Sequence, residues 1–124
     1  MVVDDDPYIL IALRELFEPE KYKVLTVDKG EDCIKVLRNG FKGGVILMDI
    51  MMPGMDGWDT IEEILKQGIK DGNIISILTA KDIPDKRMDN LKEYIVDYIT
   101  KPFDPDELRT IVKEYFNHLK NKSK

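Results

Sequence analysis

The side chains with the greatest potential for chemistry are carboxylates that follow short apolar runs. Asp4-Asp5-Asp6 follow Met1-Val2-Val3, and Asp49 follows the run from Val45 to Met48. Adjacent carboxylates raise one another's pKa, so a cluster of them favours a bound cation. Oxygen ligands suit Mg²⁺ better than zinc, which prefers histidine and cysteine. The pattern therefore predicts a magnesium site, although Asp49 alone could equally be a turn aspartate that caps the next element.

A hydroxyl and an ammonium group follow two later apolar runs. Thr79 comes after Ile74–Leu78, and Lys101 comes after Ile95–Thr100. Aspartate can act as the covalent nucleophile in phosphoryl transfer. A metal ion and a lysine offset charge on the transferring oxygens, and a hydroxyl can donate a hydrogen bond to one of them. Together these residues predict that Asp49 accepts a phosphoryl group.

The elements that must position these residues alternate regularly along the chain. Apolar runs between turn signals predict buried strands, and apolar residues at helical spacing predict helices between them. Five such alternations with short connections predict an α/β fold with parallel strands and helices on both faces. The expected elements are strand 1 (Met1–Val3), helix 1 (Pro7–Glu18), strand 2 (Tyr22–Val27), helix 2 (Gly30–Asn39), strand 3 (ending at Asp49), helix 3 (following Gly57 and ending near Gly68–Gly72), strand 4 (Ile74–Leu78), helix 4 (Pro84–Tyr94), strand 5 (Ile95–Thr100) and helix 5 (from near Asp104 through Leu119).

Parallel strands end at a common edge of the sheet, where open α/β folds usually bind ligands. Strand 1 should deliver Asp4 and Asp5 to that edge, strand 3 Asp49, strand 4 Thr79 and strand 5 Lys101. Asp6 is instead expected to cap helix 1, because Pro7 is a favoured first-turn residue.

Length and composition restrict the class of protein. A chain of 124 residues predicts one domain, which we place at 1–119, followed by a lysine-rich tail at 120–124. With 43% hydrophobic and 35% charged residues, no membrane-length apolar run and no visible signal peptide, we expect a soluble protein. The single cysteine, Cys33, cannot form an internal disulfide, so a reducing cytoplasm is the expected location. The net charge of −5 disfavours direct nucleic-acid binding.

Four segments in their order along the chain resemble the receiver domains of two-component response regulators. They are VVDDDP (2–7), LMDIMMPGMDG (47–57), ILTA (77–80) and YITKPF (98–103). The resemblance covers essentially the whole chain. It implies a flavodoxin-like sheet in the order 2-1-3-4-5 with five helices, and a cis bond between Lys101 and Pro102.

The resemblance also implies roles for particular residues. Asp49 would be the phospho-acceptor, and Asp4, Asp5 and the Met51 carbonyl would help to hold Mg²⁺. Lys101 would pair with the phosphoryl group, while Thr79 would move toward it and Tyr98 would swing inward behind Thr79. The side chains flanking the path of the hydrolytic water would be Met51 and Lys81. Because a thioether accepts hydrogen bonds only weakly and an ammonium has no acceptor, we expect slow loss of the phosphoryl group.

Three features depart from the family pattern. Strand 1 has only Met1 to Val3 before the aspartates, where the family usually has a longer strand, so we expect the natural strand to begin before Met1. Tyr94-Ile95 replaces the usual Gly-Ala before strand 5, which removes the glycine that normally ends helix 4. Position 51, where many relatives carry a polar side chain, is methionine.

Three other classes of protein share some of these features. A phosphatase of the haloacid-dehalogenase type needs a second carboxylate two residues after the acceptor, where this chain has Met51. A nucleotide-binding domain needs a glycine-rich loop after strand 1, where this chain has carboxylates. A pseudo-receiver that binds partners without being phosphorylated keeps the same fold and stays the main alternative.

The expected partners follow from the resemblance. A sensor histidine kinase or a phosphotransfer protein would supply the phosphoryl group, and an effector domain or a target protein would receive the signal. The expected interaction surface is helix 4, strand 5 and helix 5, which could also form a homodimer. We expect the domain to catalyse its own phosphorylation and dephosphorylation but not to turn over an external substrate.

Overall fold

The computed structural model describes residues 1–80 and 86–122 as a parallel five-stranded sheet flanked by helices. The strand order is β2-β1-β3-β4-β5, and all four neighbouring pairs are parallel. The predicted α/β class and strand order are therefore confirmed. The elements are β1 (Val2–Val3), α1 (Pro7–Phe17), β2 (Thr26–Val27), α2 (Gly30–Arg38), β3 (Val45–Met48), α3 (Gly57–Gln67), β4 (Ile74–Thr79), α4 (Lys86–Leu91), β5 (Ile95–Thr100) and α5 (Pro105–Lys122), with 3₁₀ turns at Glu18–Glu20 and Lys92–Tyr94.

Local sequence explains where the helices beside the carboxyl edge begin. The Asp6 side chain accepts a hydrogen bond from the Tyr8 backbone N–H at 2.9 Å, so it caps α1 as predicted. Asp56 and Asp59 form a reciprocal capping box at the start of α3. These caps fix the entry of both helices directly after the loops that carry Asp4 and Asp49.

Two predicted boundaries were wrong. Strand 2 was expected at Tyr22–Val27, but only Thr26–Val27 pair in the sheet, opposite Val2 and Val3 of β1. Because β1 is only two residues long, it limits the number of residues of β2 that can pair with it. Tyr22 lies outside β2, and its ring stacks on Phe116 of α5, with ring centroids 4.6 Å apart.

Helix 4 was expected at Pro84–Tyr94. In the structure α4 ends at Leu91, and a 3₁₀ turn at Lys92–Tyr94 leads into β5. Its predicted start at Pro84 lies outside the described residues. The chain thus leaves α4 through a tightened last turn, where the family pattern has a glycine.

The core has two layers, one on each face of the sheet. Buried side chains of α2, α3 and α4 pack on one face, with Ile46 and Ile75 among their partners, whereas α1 and α5 pack on the other, against Leu47 and Leu78. None of the helices in the described ranges combines the length and apolar character that crossing a membrane requires. Helices therefore cover both faces of the sheet, and its carboxyl edge lies between the two layers.

Candidate functional site

Three carboxylates meet at the carboxyl edge of the sheet. Asp4 follows β1, Asp49 follows β3, and Asp5 lies in the loop before α1. Each offers an oxygen atom, and these atoms all lie within 4.8 Å of one another. Asp4 and Asp49 are buried, whereas Asp5 is exposed. The structure therefore brings together the three aspartates that the sequence predicted as metal ligands, with one of them open to solvent.

Lys101 reaches this cluster from the end of β5. Its ammonium group donates a hydrogen bond to Asp4 Oδ2 at 2.6 Å and lies 3.7 Å from Asp49 Oδ1. The bond between Lys101 and Pro102 is cis, as the resemblance implies. The backbone N–H of Lys101 donates to the Thr79 carbonyl at 2.7 Å, which holds the ends of β4 and β5 together. In this state Asp4, rather than Asp49, is the nearer partner of the lysine.

The surroundings of Asp49 disfavour its charged form. Burial raises its pKa first, and the Asp4 carboxylate raises it further, to about 6 from an ordinary 3.8. Lys101 and the backbone N–H of Met51, which donates to Asp49 Oδ1 at 3.3 Å, act in the opposite direction and lower this pKa. Asp49 is thus still mostly ionised at neutral pH, and more positive charge nearby would stabilise that form.

Gly57 holds the loop between β3 and α3 close to Asp49. A Cβ atom at Gly57 would lie 2.4 Å from the Asp49 carbonyl oxygen and 2.8 Å from Ile50 Cα, so no larger residue fits without backbone movement. The Gly57 N–H donates to the Ile50 carbonyl at 3.0 Å. The Met51 side chain, in the same loop, is exposed. Glycine at this position therefore brings the start of α3 against the end of β3.

Thr79 and Tyr98 lie on the face of the sheet that packs against α3 and α4. Thr79 follows Ile77 by two residues in β4 and so shares its face, and Tyr98 of β5 is in register with Ile77. Thr79 is buried and its hydroxyl has no hydrogen-bond partner within the described residues, whereas the Tyr98 side chain is partly exposed. Lys81, the other predicted flanking residue, lies outside the described residues.

Sequence reasoning missed a connection between α3 and α4. The guanidinium group of Arg87 in α4 donates to Asp59 Oδ1 at 2.7 Å and to Asp56 Oδ2 at 3.0 Å, so it bridges both members of the α3 capping box. The Asp59 pKa is lowered first by the backbone N–H of Asp56 and also by Arg87. No local sequence pattern identifies Arg87, 28 positions after Asp59, as the partner of this capping box.

The donor set fits a divalent hard cation. Each side chain of the Asp4, Asp5 and Asp49 cluster offers a carboxylate oxygen, the type of ligand that Mg²⁺ prefers. Asp4, Asp5, Asp49 and Lys101 together carry a net charge of −2 when ionised, which one divalent ion would balance. The cluster therefore has the composition of a metal site that includes Asp49, and the Lys101 ammonium group lies 3.7 Å from Asp49 Oδ1.

Comparisons with known proteins agree on one family. The family model for the response regulator receiver domain matches residues 1–113. A crystal structure of a CheY-like response regulator receiver domain protein from Methanospirillum hungatei is 45% identical, with a TM-score of 0.91 over 98% of this chain and 95% of that one. TrrA from Thermotoga maritima, crystallised in complex with Mg²⁺-BeF, is 33% identical, with a TM-score of 0.76 over 92% of this chain and 95% of that one.

Among curated sequences, the response regulator SaeR of Staphylococcus aureus is 32% identical over 97% of this chain and 51% of its own length. The chain spans about half the length of the curated relatives it matches.

Proposed function

Because this chain belongs to the family of receiver domains of two-component response regulators, we propose that it accepts a phosphoryl group on Asp49. The single observation that carries the proposal is the meeting of Asp4, Asp5 and Asp49 with Lys101 at one edge of the sheet. The donor would be a phosphohistidine of a sensor kinase or of a phosphotransfer protein.

In the proposed transfer an Asp49 oxygen attacks phosphorus. The bond from phosphorus to the donor's histidine nitrogen breaks, that nitrogen keeps the electron pair, and an acyl phosphate forms on Asp49. Lys101, 3.7 Å from Asp49 Oδ1, is near enough to neutralise charge on the transferred group. Hydrolysis regenerates Asp49: water attacks phosphorus, the Asp49 carboxylate leaves with the electron pair of the broken bond, and inorganic phosphate is released.

We propose Mg²⁺ as the cofactor, held by Asp4, Asp5, Asp49 and the Met51 carbonyl. When bound, Mg²⁺ supplies positive charge that stabilises the ionised carboxylate and the phosphoryl oxygens. The all-oxygen donor set and the net negative charge of the cluster support this choice. So does TrrA, a relative crystallised with Mg²⁺-BeF.

The proposed output is a change at α4, β5 and α5, the surface that an effector domain, a target protein or a second copy would bind. Thr79 would move toward the phosphoryl group and Tyr98 would turn inward behind it. Two observations support a movable surface. Thr79 has an unpaired hydroxyl within the described residues, and Tyr98 retains 42% of its surface exposed, so both side chains have interactions to gain.

We also propose that the acyl phosphate is lost slowly. Met51, whose backbone N–H donates to Asp49 Oδ1, is 55% exposed, and its thioether provides no group that takes a proton from water. Lys81, proposed as the second flanking residue, lies outside the described residues and provides an ammonium group. Following the decay of labelled protein for the native chain and for Met51→Asn tests this. Loss from the native chain within seconds, or no faster loss from the variant, would contradict it.

The acceptor role is tested by intact-mass spectrometry after incubation with Mg²⁺ and an acyl phosphate donor. We expect the native chain to gain one phosphoryl group and Asp49→Asn to gain none. Asp28→Asn is a matched control, because Asp28 is an exposed aspartate that follows β2 at the same edge. Equal labelling of the native chain and Asp49→Asn would remove Asp49 from the role. No labelling of either by the small-molecule donor or by a kinase would favour a pseudo-receiver.

A further inference from the structure

Two buried side-chain polar atoms of the described residues have no hydrogen-bond partner. They are the indole nitrogen of Trp58 and the hydroxyl oxygen of Thr79. Trp58 is only 3% exposed, and the two residues lie on different elements, α3 and β4. An unpaired buried donor is costly because it has lost its hydrogen bond to water without gaining another. In the proposed function Thr79 moves toward the phosphoryl group, whereas the Trp58 N–H has no assigned role.

The Trp58 ring lies beside the side chain that is expected to move. The ring centroids of Trp58 and Tyr98 are 6.5 Å apart, with the ring planes inclined by 44°. Tyr98 is in register with Ile77, which belongs to the same buried cluster as Trp58. Trp58, Thr79 and Tyr98 therefore share one layer, between the sheet and the pair α3 and α4.

Tyr98 has a hydroxyl but does not direct it to the indole in this state. The Tyr98 side chain is 42% exposed, and the described structure contains no hydrogen bond between the two residues. Partial burial raises the Tyr98 pKa first, and the Asp89 carboxylate of α4 raises it second, so the phenol lies within electrostatic reach of α4. The neighbouring, half-exposed Tyr98 side chain therefore carries a hydroxyl oxygen that could accept the hydrogen bond that the Trp58 indole N–H lacks.

We propose that Trp58 is a positioning residue of the switch, whose indole N–H donates a hydrogen bond to the Tyr98 hydroxyl oxygen when Tyr98 turns inward. An indole nitrogen can only donate, and a phenol oxygen can accept, so the two groups are complementary. The inward state would then bury an exposed aromatic ring and pair an unpaired donor. Burial of the Tyr98 ring and the new hydrogen bond of Trp58 both favour the inward state. The hydrogen bond requires the Tyr98 hydroxyl, whereas the ring alone provides the burial.

This inference rests on the proposed function, and the chain offers a direct readout of it. Trp58 is the single tryptophan of the sequence, so its indole N–H gives one resonance in a ¹H–¹⁵N spectrum. The spectrum is recorded with Mg²⁺, before and after addition of an acyl phosphate, and loading of Asp49 is followed in the same sample by intact mass. We expect the indole proton to shift downfield when Asp49 is loaded, as a new hydrogen bond requires.

Two conservative variants isolate the hydroxyl. Tyr98→Phe keeps the ring and removes the acceptor, so the downfield shift should disappear while Asp49 is still loaded. Tyr94→Phe makes the same change at a partly exposed tyrosine with no ring contact to Trp58, and it should keep the shift. A loaded native chain whose indole resonance does not move, or a shift of equal size in Tyr98→Phe, overturns the inference alone. A native chain that takes no phosphoryl group on Asp49 overturns both proposals.

Discussion

Removing the charge of Asp49 should stabilise the metal-free fold. Burial and the nearby Asp4 carboxylate raise the Asp49 pKa from 3.8 to about 6, despite the opposing effect of Lys101. Each factor of ten in proton affinity is worth about 1.4 kcal/mol, so an ionised Asp49 costs the folded state up to about 3 kcal/mol at pH 7.5. Asp49→Asn keeps the shape and an oxygen acceptor for the Met51 N–H, and it should recover much of this free energy.

The pH dependence identifies the cause. Because the pKa of Asp49 is higher in the folded than in the unfolded chain, the folded chain binds more protons between pH 4 and pH 6. Native stability therefore falls as pH rises through this window. The advantage of Asp49→Asn should accordingly be below about 1 kcal/mol at pH 4 and about 3 kcal/mol at pH 7.5.

Urea unfolding of both proteins in the presence of a chelator, at pH 4 and pH 7.5, measures these differences. Asp28→Asn is the control, and at an exposed position it should change stability by no more than about 0.5 kcal/mol at either pH. A native chain that is more stable than Asp49→Asn at pH 7.5, or a difference that does not change with pH, would refute the reasoning.

Three further predictions concern the metal and the loops around the site. Mg²⁺ at a hundredfold excess over its Kd should add about 2.7 kcal/mol to the free energy of unfolding of the native chain. In thermal melts with and without Mg²⁺, Asp5→Ala should be stabilised by the ion much less than the native chain. Equal stabilisation of the two proteins would count against Asp5 as a ligand. Gly57→Ala should cost about 2 kcal/mol or more in urea unfolding, because its Cβ would meet the Asp49 carbonyl at 2.4 Å. Unchanged stability would show that the loop yields easily. Arg87→Gln should cost only about 1 kcal/mol, since its ion pairs are partly exposed, but should speed amide exchange in α4. Unchanged exchange there would mean that the bridge to Asp56 and Asp59 does not hold the helix.

The local sequence was sufficient to predict an element where its turn or capping residues and its apolar pattern indicated the same bounds. The apolar runs at Val45–Met48 and Ile74–Thr79 are fully buried strands, and Ile95–Thr100 forms β5 with the predicted bounds. Asp6 and Pro7 start α1 because a side-chain acceptor and a preset φ angle act within a single turn. Such rules need only residues a few positions apart.

Prediction failed where an element's length depends on a distant partner. Residues from Tyr22 onward have the composition of a strand, but the ladder of β1 is only two residues long and Phe116 provides a stacking partner for Tyr22. The end of α4 likewise depends on how the chain enters β5, and a 3₁₀ turn replaces the expected last helical turn. Neither pairing can be read from the segment itself.

The sequence by itself determined which groups stand at the strand ends: aspartates after strands 1 and 3, a threonine after strand 4 and a lysine after strand 5. Only the tertiary structure decided that Asp4 is buried and Asp5 exposed, and that Lys101 lies nearer to Asp4, 97 positions away, than to Asp49. It also placed Tyr98 beside the unpaired indole of Trp58. The physical reason is that burial and charge pairing depend on distances across the sheet, whereas local sequence patterns specify only the type and approximate bounds of each strand and helix.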